Sequence, residues 1–172
     1  MPTTKKGWVS GLSYKDVLRA RTLTVQAAVT ALHHAPNVHY TQGASRWSGI
    51  NQDRRSRNGE HPPYADCSAF ATWCLWNGLH LPFGVRDTVN GADWKAGYTG
   101  TMLSHGRRKA LKHARRGDCV IYGRPGSTGA HTAICVGWRK GTLWVISFGS
   151  EQGPYLLPYN YRGDVMQIRR YI

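Results

Sequence analysis

The chain has 172 residues, 41% hydrophobic and 19% charged, with 23 Lys+Arg against 9 Asp+Glu and a formal charge of +14. That length supports one domain with a sizeable core, and no apolar run approaches the ~20 residues of a helical membrane span. The charge favours polyanionic partners (nucleic acid, anionic lipid or an acidic cell-wall polymer) and says nothing about fold.

Residues 1–12 read as a flexible polar arm, and 13–172 as a single domain. The opening Met-Pro-Thr-Thr-Lys-Lys-Gly has no apolar stretch behind it, so no signal peptide is expected. The expectation is synthesis in a reducing cytoplasm, with free thiols. Ser13 can cap a helix, with Asp16 in its first turn. Val17, Leu18, Val25, Ala28, Val29 and Leu32 then share a helical face, and Pro36 closes the segment. Residues 41–64, rich in Gly, Ser, Asn and Arg, read as one long loop. Asp66 can cap a second helix carrying Phe70, Ala71, Trp73, Cys74 and Leu75, with Gly78 as its stop. Weak helical signals follow near Asp87–Lys95. The basic run Arg107-Arg108-Lys109, Lys112, Arg115-Arg116 reads as a short solvated helix or loop. Four strands are expected over Asp118–Tyr122, His131–Trp138, Leu143–Phe148 and Val165–Tyr171, all rich in Val, Ile, Trp and Tyr. Helices first and an antiparallel meander afterwards make the fold class α+β.

The cysteines are Cys67, Cys74, Cys119 and Cys135. No Cys-x-x-Cys or His-x-x-x-His pair occurs, so no zinc spacing is present. Cys67 is set apart by its place directly after the capping Asp66. A sulfur in the first helical turn meets unpaired N–H groups and the positive end of the helix dipole, which favour a thiolate. The other three cysteines read as small buried hydrophobes. His131 opens an apolar strand after the turn Gly126-Ser127-Thr128-Gly129-Ala130, a suitable place for a general base. A thiol and an imidazole on two rigid elements are the minimal equipment for nucleophilic catalysis.

These motifs together resemble the NlpC-type cell-wall cysteine peptidases. The matching residues are Tyr40, then Asp66-Cys67-Ser68-Ala69-Phe70 and Gly78-Leu79-His80-Leu81-Pro82. Gly117-Asp118-Cys119-Val120-Ile121 and His131-Thr132-Ala133-Ile134-Cys135-Val136-Gly137 complete the set. The likeness covers about residues 36–150. It implies a papain-like fold, with N-terminal helices packed on a central antiparallel sheet. It makes Cys67 the nucleophile and His131 the base. The Cys67 backbone N–H, helped by the Tyr40 hydroxyl, would hold the oxyanion. Tyr40, Asp66 and Ser68 match positions that in some members bind a free amine of the stem peptide.

The chain departs from that family at the residue that orients the base. The slot falls on Ser147 or Phe148, with Glu151 in reach from the following turn. Ser147 is the expected third catalytic residue, because Phe148 cannot accept a hydrogen bond from imidazole. Ala69 stands where the family has Gly. The expected activity is hydrolysis of peptidoglycan stem or cross-bridge peptides by a phage lysin. It would need no metal or organic cofactor and act as a monomer on peptidoglycan and anionic wall polymers, without specific nucleic acid. An amidase on the same thiol site, a non-catalytic wall or nucleic-acid binder, and a toxin-like acyltransferase or deamidase are the alternatives.

Overall fold

Ser13 opens helix α1 (Tyr14–His33), its hydroxyl accepting the Asp16 backbone N–H at 3.2 Å. The computed structural model describes residues 11–124, 127, 129–149 and 153–172; most of the expected arm lies outside them. The buried face of α1 is built from Ala20, Arg21, Thr24, Val25, Ala27, Ala28 and Ala31. Leu18, expected on that face, is 47% exposed; small residues take its place in the contact.

The stretch 41–64 is not one loop. It contains a 3₁₀ turn over Ala44–Trp47, the short helix α2 (Ser48–Asn51) and a second 3₁₀ turn over Ser56–Asn58. Strand β1 (His39–Tyr40) pairs in parallel with β2 (Tyr64–Ala65) across it. Polar ties to the next helix hold the stretch down. Asn77 Oδ1 accepts the Ser56 N–H and hydroxyl at 2.9 and 3.0 Å, and Trp73 Nε1 donates to the Arg54 carbonyl at 2.9 Å. Turn-forming composition marked the segment as irregular but could not reveal bonds to residues beyond it.

Helix α3 (Cys67–Phe83) continues through Gly78 and Pro82 and ends at Gly84, whose φ of 63° makes the left-handed cap. Gly78 is therefore no stop. It is where α1 approaches: a Cβ there would lie 2.6 Å from the Ala20 carbonyl oxygen. Gly78→Ala should push the two helices apart and lower stability by about 1–3 kcal/mol, read as a shift in urea midpoint at unchanged m-value.

The helical signal near Asp87–Lys95 is overridden by a side chain. The Asp87 carboxylate accepts the backbone N–H groups of Val89, Asn90, Ala92 and Trp94, in competition with a helical ladder. Helix α4 (Thr99–Ser104) forms later instead. The basic run is likewise not a helix. It supplies strand β3 (Arg107–Lys109) and a 3₁₀ turn over Leu111–His113.

The remaining strands are β4 (Cys119–Tyr122), β5 (His131–Arg139), β6 (Thr142–Ser147), β7 (Tyr155–Pro158) and β8 (Met166–Arg170). The sheet has six strands in the order β3-β8-β4-β5-β6-β7, and every neighbouring pair is antiparallel. The expected strands β4, β5 and β6 are consecutive neighbours, but the fourth expected strand, β8, does not continue the meander: it returns to pair with β4, and β7 takes the place beside β6. The two strands absent from the sequence reading, β3 and β7, are the edges. One is basic and the other carries a Pro, as edge strands that discourage further pairing often do.

Alternation along the strands divides the sheet into two faces. Cys119, Ile121, Ile134 and Ile146 pack under the helices with Phe70, Trp73 and Leu75. Val120, Tyr122, Ala133, Cys135 and Val145 face the other way. Asp118, fully buried, ties the layers together: it pairs with Arg21 of α1 at 3.2 Å and Arg170 of β8 at 2.7 Å. Cys74, Cys119 and Cys135 are completely buried, and all four cysteines are free. Among the described residues no helix is long and apolar enough to cross a membrane.

Candidate active site

Cys67 is the first residue of α3. Asp66 is the N-cap, its Oδ1 accepting the Ala69 N–H at 2.7 Å and the Ser68 hydroxyl at 2.8 Å. The Cys67 sulfur meets the Thr132 N–H from the start of β5, the Thr99 hydroxyl and the Ser68 N–H. The helix start alone predicts a thiolate, but the thiol is pushed up to about 11. Burial is the main cause and the adjacent Asp66 carboxylate the second; the three donors oppose them without prevailing. The capping acid that makes the helix start thus works against ionisation of the thiol beside it.

His131 begins β5 and is 7% exposed. Its Nε2 lies 2.7 Å from Ser147 Oγ, which in turn lies 2.9 Å from the Tyr161 hydroxyl. Register explains the first contact. Ala133 pairs with Ser147, so His131, two residues earlier on the same face, is the diagonal neighbour of Ser147. Tyr122 pairs directly opposite His131 on β4, with ring centroids 6.1 Å apart. Phe148, the other residue considered for the slot, packs on Phe70 and Tyr40 in the core. Glu151 lies outside the described residues.

The imidazole is pushed down from its usual 6.5 to about 4, first by burial and then by the Arg162 guanidinium. The resting pair is therefore a neutral thiol and a neutral imidazole. The depressed value has a consequence for stability. On acidification the unfolded chain protonates this histidine near pH 6.5, and the folded chain only near pH 4. Stability present above pH 6.5 should therefore fall by about 3 kcal/mol on acidification to pH 4. Denaturant midpoints of the native protein and His131→Gln across that window test this: the variant's curve should be flatter by that amount.

Cys67 and His131 line one cleft of about 780 Å³. Tyr40, Asp66 and Ser68 line it as well, with Gln42, Arg46, Tyr98, Thr99, Tyr161 and Arg162. The structure thus brings Tyr40, Asp66, Cys67, Ser68 and His131 together, with Ser147 buried behind the imidazole. The Tyr40 hydroxyl accepts from Gln42 Nε2 at 3.2 Å. Four neighbours of the site went unrecognised in the sequence: Arg46, Thr99, Tyr122 and Tyr161. Arg46 and Tyr161 sit in irregular segments, where no periodic signal marks them. Tyr122 could have been found, because it ends the expected strand that precedes and pairs with the one His131 opens. Among the described residues no group of three or more His, Cys, Asp or Glu side chains could hold a metal ion.

No family model matches the sequence, and no curated protein does. Solved structures do match. The NlpC/p60 domain of the peptidoglycan hydrolase SagA is 19% identical over 87% of this chain and 98% of its own, with a TM-score of 0.54. A mutated form of RipA, the resuscitation promoting factor interacting protein, is 20% identical over 95% of this chain and 69% of its own, at a TM-score of 0.59. NlpC1 from Trichomonas vaginalis is 16% identical over 97% of this chain and 48% of its own, at 0.53. The chain has the NlpC/p60 fold, an α+β arrangement of helices on an antiparallel sheet.

Proposed function

We propose that this protein is a peptidoglycan hydrolase that cleaves stem or cross-bridge peptides by thiol chemistry. One observation carries the reading. Cys67 at a helix start and His131 at a strand start line one cleft, and the imidazole's far nitrogen is held by Ser147. The solved hydrolase domain of like fold supports the choice of substrate.

Ser147, itself bonded to the Tyr161 hydroxyl, takes Nε2, which leaves Nδ1 of His131 as the nitrogen that serves the thiol. Because both groups rest neutral, the proton moves as the substrate carbonyl arrives. The Cys67 sulfur bonds to the carbonyl carbon, its proton passes to His131, and the negative charge gathers on the carbonyl oxygen. The Cys67 backbone N–H and the Tyr40 hydroxyl are the donors for that oxygen. Collapse breaks the C–N bond, and the proton on His131 leaves with the amine. Water, giving a proton to His131, then hydrolyses the thioester and frees Cys67.

The surface charge suits the same substrate. A second groove carries Arg107, Lys109, Arg115 and Arg116, which would draw the protein to anionic wall polymers. Clearing of a purified wall suspension tests the proposal. It should proceed in the presence of a chelator and stop after iodoacetamide treatment at alkaline pH, where the thiol ionises. Clearing that survives complete alkylation of Cys67 would refute it.

A further inference from the structure

We propose that the subsite built by Arg46 and Asp66 receives a carboxylate of the substrate rather than a free amine. This rests on the reading of the chain as a cell-wall peptidase. The resemblance assigns Tyr40, Asp66 and Ser68 to an ammonium group. In this chain the acid is already taken. Asp66 Oδ1 accepts from the Ser68 hydroxyl and the Ala69 N–H, and Oδ2 holds Arg46 Nη1 at 2.5 Å. The carboxylate is 5% exposed. An incoming ammonium would have to displace a guanidinium and then sit beside its charge.

Arg46 is instead placed as a receptor for an anion. Nη2 donates to the Gly97 carbonyl at 3.0 Å, and the guanidinium lies 5.1 Å from the centre of the Trp47 ring. Two bonds and a ring fix its plane, while its side chain remains 22% exposed on the cleft. A guanidinium has five N–H donors in a rigid fork suited to carboxylate, so donors remain for a ligand. Asp66, the one acid among the described residues lining the cleft, is thus committed to Arg46, while the cleft's other guanidinium, Arg162, is held by Asp164 at 2.6 Å. Peptidoglycan peptides carry free carboxylates, some converted to amides, so the subsite would distinguish the two forms.

The test is calorimetric binding to the Cys67→Ala protein, which cannot turn the ligand over. The ligands are L-alanyl-γ-D-glutamyl-L-lysine with its amine free or acetylated, each with the glutamyl α-carboxylate free or amidated. The acetylated carboxylate peptide should bind about ten-fold more tightly than its amide, as a hydrogen bond to a charged group would give. Adding Arg46→Gln should erase that difference, and adding Arg46→Lys should keep part of it. If the glutamine variant melts early, the comparison of amide with carboxylate in Cys67→Ala decides alone. A requirement for the free amine, indifference to amidation, or no binding by any of the four peptides would overturn the subsite. Wall clearing by the native protein is read separately. Clearing without carboxylate preference removes the subsite alone, whereas preference without clearing removes the peptidase reading and leaves the subsite.

Discussion

Cys67→Ala should lose wall-cleaving activity at least about a thousand-fold while keeping its native melting curve. Cys67 is the only cysteine at a helix start and the only one that lines the cleft. Cys74, Cys119 and Cys135 are fully buried in the layers around the sheet, so their alanine variants lose packing and not chemistry. Each should lower stability by an amount on the order of 1 kcal/mol and keep near-native activity per folded molecule. Turbidity assays paired with thermal melts separate the two effects. A folded Cys67→Ala protein with near-full activity would remove the nucleophile.

His131→Ala should be nearly as severe, since in the proposed mechanism thiol and imidazole act as a unit. Ser147→Ala should cost on the order of ten-fold, or ~1.4 kcal/mol of barrier. A neutral hydroxyl fixes the tautomer and tilt of the ring but adds no full charge to stabilise an imidazolium. Tyr161→Phe should cost less again, because its hydroxyl reaches the imidazole only through Ser147. The graded series can be read as kcat/KM on one soluble stem peptide. A silent Ser147→Ala would mean that the 2.7 Å contact does not matter in the transition state. A fully active, folded His131→Ala would remove the base.

The placement of the candidate site's residues was more legible in the sequence than the scaffold around it, for physical reasons. Asp66-Cys67-Ser68 is a local signal: an N-cap acts within three residues, and the Asp66–Ala69 bond follows from spacing alone. Ser147 was reachable because strand alternation and hairpin length fix which residue lies diagonal to His131. The thiol's ionisation was not reachable. A helix dipole can be anticipated from sequence, but the burial that overrides it, and the opposing bonds from Thr132 and Thr99, exist only once the chain is folded. Gly78 shows the same limit. A glycine near a helix end reads as a cap until the partner helix is seen to need the space. Arg46 lies twenty residues before Asp66 in an irregular segment, and only the folded chain brings its guanidinium onto that carboxylate.

The central claim is that Cys67 opens peptide bonds of peptidoglycan. Mass analysis of soluble fragments from purified walls, digested in parallel by native and Cys67→Ala protein, tests it most directly. The native digest should contain fragments with a newly exposed peptide amine, absent from the variant digest. A native digest with no new amine, or one whose only new products are peptides released whole from the sugar lactyl group, would contradict it.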